Sequence, residues 1–130
     1  MTEWVNHYLA APYSDGARGP VTYDCWGLVR EVRHRFYGKR LLPSWGHVRH
    51  DNAREFTRAY ASEAASLRPC EPEPGAIASA FKGRICHHVA VVIATPEGLR
   101  VLEMTAGTGA RLLRIADFER QYLRVTYHND

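Results

Sequence analysis

Pro69-Cys70-Glu71-Pro72-Glu73-Pro74-Gly75 divides the chain into two halves of different periodicity. These prolines and the closing glycine cannot continue a helix, because proline lacks a backbone N–H and disfavours helical geometry in the residue before it. Upstream, apolar residues recur at helical spacing; downstream, they recur at strand spacing. Helices first and a meander of strands second predict an α+β fold, with N-terminal helices packed on a C-terminal antiparallel sheet.

Moving towards the N-terminus, residues 53–67 place Phe56, Tyr60 and Ala64 on one side of a predicted helix, and residues 41–52, with Pro43 and Trp45, read as an irregular loop. Cys25, Leu28, Val29, Val32 and Phe36 then share one helical face. Asp24 is the expected N-cap of that helix, and Gly38 followed by Lys39 and Arg40 its end. A short helix over 3–10 carries Trp4, His7 and Tyr8, and the Gly- and Pro-rich loop from Pro12 to Pro20 leads to Tyr23-Asp24-Cys25.

Towards the C-terminus, strands are predicted at 76–81, 86–94, 99–104, 110–114 and 121–127, with a short helix near Asp117 to Arg120. Val89-Ala90-Val91-Val92-Ile93 is apolar on both faces, so it is expected as a central strand, with the Cys25 helix as its cover.

A length of 130 residues suits one domain, taken as 1–130. A formal charge of +3 is too small for a protein whose main partner is nucleic acid. The basic segment Arg30, Arg33, Arg35, Lys39, Arg40 reads as a solvated helix face. No apolar run has the length of roughly 18 residues that membrane insertion requires. MTEWVNHYLAAP lacks a basic region followed by an apolar one, so synthesis in the cytoplasm without a signal peptide is expected. The three cysteines form no CxxC pair, which suggests neither a disulfide framework nor a zinc ribbon.

At the first turn of a helix, Cys25 meets unpaired backbone N–H groups and the positive end of the helix dipole; both favour the thiolate, and the same groups could hold an oxyanion. The plain alternative is a small apolar core residue. Of the seven histidines, His88 alone sits at the beginning of the central strand, which makes it the natural general base. If Thr95-Pro96-Glu97-Gly98 closes a hairpin, Ala94 faces Leu99 and Ala90 faces Glu103, and Glu103 lies diagonal to His88 on its face. The result is a candidate Cys25-His88-Glu103 set, against the alternative of Glu103 as an exposed strand carboxylate. His87 is expected on the opposite face, at a surface or edge. Cys86 is expected to share the His88 face, so Cys25, Cys86 and His88 are a weighed but disfavoured zinc set lacking the usual ligand spacing. No metal or cofactor is expected. Trp26, beside the nucleophile, is a candidate to shape a subsite.

Tyr23-Asp24-Cys25-Trp26-Gly27-Leu28-Val29, Pro74-Gly75-Ala76-Ile77-Ala78 and His88-Val89-Ala90-Val91-Val92-Ile93, in this order, resemble the NlpC-type cell-wall cysteine peptidases, above all their phage-tail-associated branch. The resemblance implies a papain-like core that cleaves peptide stems of peptidoglycan without metal or cofactor. It implies Cys25 as nucleophile, His88 as base, Glu103 in the place of the third polar residue, Tyr23 lining the cleft and Asp24 helping to bind substrate. Trp26 stands where many wall peptidases have a serine, Ala76 replaces a frequent aspartate, and Glu103 replaces the commoner histidine. The implied setting is a virion tail tip, with other tail-tip proteins as partners. The alternatives are a structural tail-assembly protein that keeps the fold with little or no turnover, and a thiol acyltransferase or amidase using the same dyad.

Overall fold

The computed structural model describes residues 3–46, 48 and 52–130. The helices are α1 (Val5–Ala10), α2 (Cys25–Tyr37), α3 (Ala53–Ala64) and α4 (Ile115–Glu119). The strands are β1 (Arg68–Pro69), β2 (Ile77–Lys82), β3 (Ile85–Thr95), β4 (Gly98–Thr105), β5 (Gly109–Arg114) and β6 (Arg124–Asn129). They form one sheet in the order β1-β6-β2-β3-β4-β5, with every neighbouring pair antiparallel. The fold is thus α+β, with the change from helix to strand at the proline-rich stretch. Residues 41–46 carry no helix or strand; of the loop expected over 41–52, His47, Arg49, His50 and Asp51 lie outside the described residues.

Helix α2 begins as its sequence dictates. The Asp24 carboxylate accepts the Gly27 N–H at 2.8 Å, satisfying one of the donors that a helix start leaves unpaired. Gly38 ends the helix in the left-handed conformation, at φ 65°. Between these caps, Leu28, Val29 and Val32 are wholly buried, each contributing about 1.5–3 kcal/mol relative to exposure.

Helix α2 packs on β3 and β4, and α3 on β3. Together with Val89, Val91, Ile93, Leu102 and Met104 they form the larger core. On the other face of the sheet, Phe118 of α4 packs with Ala78, Ala90, Val92 and Val101. The run 89–93 is therefore covered on both sides, as its composition predicts.

The β3–β4 register follows the expected hairpin, with Ala94 opposite Leu99 and Thr95 opposite Gly98. That ladder ends at Val91–Leu102, short of Ala90 and Glu103. Three expectations need correction. Strand β6 starts three residues later than the predicted 121, because 121–123 form the turn after α4 and Leu123 is solvent-exposed. Arg33 is not on a solvated face: it is wholly buried and donates to the carbonyl of Gly75 at 2.8 Å and to Asn129 at 3.0 Å, tying α2 to the ends of the sheet strands. The third correction is a β-bulge. Ala80 pairs with His88 and Phe81 with Cys86, leaving His87 as the extra residue. The bulge reverses the expected faces: Cys86 joins the core that holds Cys25, while His88 packs beside Phe118 and Tyr122.

Candidate active site

Cys25 is the first residue of α2 and is 3% exposed. Burial pushes its thiol well above the usual range, the neighbouring Asp24 charge adds to this, and the backbone N–H groups of Val89 and Trp26 pull the other way without prevailing. This corrects the expectation of a stabilised thiolate. Desolvation outweighs the helix start, and the resting sulfur is a neutral thiol. The Val89 N–H belongs to the peptide that joins His88 to Val89, so the sulfur is seated against the strand just past the end of the β3–β4 ladder.

The other half of the site is ionic. Glu103, wholly buried rather than exposed, accepts a hydrogen bond from Nε2 of His88 at 2.9 Å. Arg111, the residue opposite Glu103 on β5, donates through Nε at 2.8 Å and through a second, shorter bond from its terminal nitrogen. The Tyr122 hydroxyl donates to Glu103 at 3.2 Å. Burial alone would raise the Glu103 carboxyl, but the hydrogen bonds and charges of His88 and Arg111 outweigh it and hold the group below its ordinary value of 4.5. An ionised carboxylate only accepts, so the proton of a neutral His88 resides on Nε2. Among the described residues nothing hydrogen-bonds Nδ1, which keeps its lone pair.

His88 lines a cleft with Tyr13, His87, Met104, Thr105, Ala106 and Tyr122. His87 is thus on the same cleft rather than on the opposite face, since the bulge turns it there, and its ring lies 5.5 Å from that of Tyr122. Cys25 lines a separate cavity with Trp26, Trp45, Phe56, Tyr60 and Val89, and Arg18 and Asp24 also border it. No hydrogen bond joins Cys25 to His88 among the described residues. Burial raises the Tyr13 and Tyr122 hydroxyls on the cleft wall, and a charge on the Cys25 sulfur would add to both.

The remaining expected site residues are placed differently from one another. Trp26 does border the Cys25 cavity, and its indole N–H is used by the carbonyl of Pro43 at 3.0 Å. Asp24 also borders it, but its oxygens are occupied by Gly27, by the Gly16 N–H at 3.0 Å and by Arg18 at 2.7 Å. Its present work is to cap α2 and to anchor the preceding loop. Tyr23 does not line the cleft. It is wholly buried against α1 and α2, donates to Glu31 at 2.7 Å and is contacted by His7 at 3.0 Å. Tyr13, bridged to Tyr23 along the backbone, occupies the cleft instead. Arg111, Tyr122 and Tyr13 were the residues that sequence reasoning missed. A readable signal existed for Arg111 alone, as the cation opposite Glu103 once the turn at 105–109 sets the β4–β5 register.

Among the described residues no group of three or more His, Cys, Asp or Glu side chains is placed to hold a metal ion. For the weighed zinc set the reason is the bulge, which sends Cys86 and His88 to opposite faces. Among the described residues no helix is long and apolar enough to cross a membrane. No family model, curated protein or solved structure matches the chain.

Proposed function

We propose that the protein is a papain-like cysteine peptidase that hydrolyses the peptide stems of peptidoglycan, as a component of a phage tail tip. The observation that carries the chemical part is the buried Glu103–His88 pair, with Nδ1 of His88 unbonded and the Cys25 sulfur seated at the His88–Val89 peptide. The substrate and setting rest on the sequence resemblance.

In this reading Nδ1 takes the Cys25 proton as the thiolate adds to the scissile carbonyl. Glu103 steadies the imidazolium that forms, and backbone N–H groups at the start of α2 hold the oxyanion. The imidazolium then gives its proton to the leaving amine, and water, deprotonated by His88, releases the acyl group from sulfur. Purified protein incubated with peptidoglycan fragments should release peptides detectable by mass spectrometry, and Cys25→Ala should not. Equal release by both would refute the reading.

The burial of Cys25 favours a second reading, a structural tail-assembly protein that keeps the fold without turnover. That reading requires folded protein to leave all fragments intact, with or without its assembly partners.

A further inference from the structure

Glu103 has no exposure to solvent, and a carboxylate in that position would ordinarily take up a proton. Two groups oppose this, His88 on β3 and, on β5, Arg111. Arg111 grips one Glu103 oxygen with two N–H donors, while the other oxygen receives His88 and Tyr122. Arg111 is itself steered by Gln121, whose side-chain oxygen accepts from it at 2.7 Å. Its own side chain is one-third exposed, so it brings charge to the buried carboxylate without being buried with it.

We infer that Arg111 is a positioning residue: by keeping Glu103 a carboxylate, it fixes the His88 proton on Nε2 and leaves Nδ1 as the basic nitrogen. The logic is one of donors and acceptors. A carboxylate can only accept from Nε2, whereas a carboxylic acid donates to Nε2 and drives the ring proton to Nδ1, where it blocks abstraction of the thiol proton. The other groups that face the pair come from three places. From β3 comes His87; from the turn after α4 come Gln121 and the Tyr122 hydroxyl, a neutral donor; and α4 presents the apolar Phe118. Asp117 on α4 is paired with Arg114 and Arg120, and Cys25 on α2 is neutral at rest.

The consequence for rate rests on the reading of His88 as general base, but the tautomer can be measured without substrate. Histidine-labelled protein examined by 15N NMR should show His88 with its proton on Nε2. Arg111→Met should move the proton to Nδ1 and slow alkylation of Cys25 by iodoacetamide at neutral pH at least tenfold. Arg111→Lys, which keeps the charge, should restore both. If Arg111→Met does not fold, Arg111→Gln takes its place. A proton on Nδ1 in the unmodified protein, or an unchanged tautomer in a folded, uncharged variant, would overturn the inference. Absence of peptidoglycan cleavage together with the expected tautomer would sink the substrate reading and leave the role of Arg111 standing.

Discussion

The two faces of the sheet solve opposite problems around one peptide bond. Facing α2, the site is apolar: Cys25, Cys86, Val89 and Phe81 share a core, and burial pushes even the Cys86 thiol up to about 12. Facing α4, it is ionic: His88, Glu103, Arg111 and Tyr122 satisfy one another's hydrogen bonds. On the apolar side burial holds the Cys25 thiol uncharged, and on the ionic side the Glu103 carboxylate holds the His88 proton on Nε2. The comparison teaches that a helix start does not by itself make a thiolate here, because two backbone N–H groups do not offset the desolvation of the sulfur.

Under the proposed hydrolytic reading, the largest test of that contrast is removal of the Cys25 thiol or of the His88 imidazole. Cys25→Ala should lower turnover by at least about 10⁴-fold at a stability cost of about 1 kcal/mol, read by peptide release and thermal melting. His88→Gln should cost about 10²–10⁴-fold, since general base catalysis is what it removes. Glu103→Gln sharpens the comparison: a neutral amide still fills the space but no longer requires a proton on Nε2. Turnover should fall, by up to about 10⁴-fold as the His88 proton is freed from Nε2, and stability by about 1.5–3 kcal/mol as Arg111 loses a charged acceptor.

Structural support for the apolar side is tested by Gly27→Ala. A Cβ there would meet the Ala17 carbonyl at 2.3 Å and the Arg18 backbone at 3.2 Å, in the loop whose Ala17 carbonyl accepts the Asp24 N–H. Displacing that loop should cost about 1–3 kcal/mol in a denaturant titration. The smallest effect is acid sensitivity of the ionic side. Hydrogen bonds and charges hold Glu103 below 4.5 when folded, so its contribution is complete above that value and lost as pH falls through the lower folded value. Glu103→Gln should flatten that part of the stability profile.

Much of this is legible in the sequence. The proline stretch marked the change of period, Asp24 marked the start of α2, and Thr95-Pro96-Glu97-Gly98 set a register that placed Glu103 on the His88 face. What escaped has physical reasons. The bulge at His87 carries no glycine or other local signal, since the extra residue is accommodated by pairing with β2, and so the faces of Cys86 and His87 were misread. Tyr23 was misplaced because its burial depends on α1 docking against α2, a contact between segments joined by an irregular loop. Asp24 was legible as a cap, but not the two further bonds from Gly16 and Arg18 that occupy it.

The most direct test is acylation of Cys25 by an activated aryl ester, followed by intact mass spectrometry, in the unmodified protein and in His88→Gln at matched pH. The account predicts rapid formation of a single acyl adduct on Cys25 that His88→Gln slows at least 100-fold. Equal rates of adduct formation in the two proteins, or an adduct elsewhere than Cys25, would contradict it.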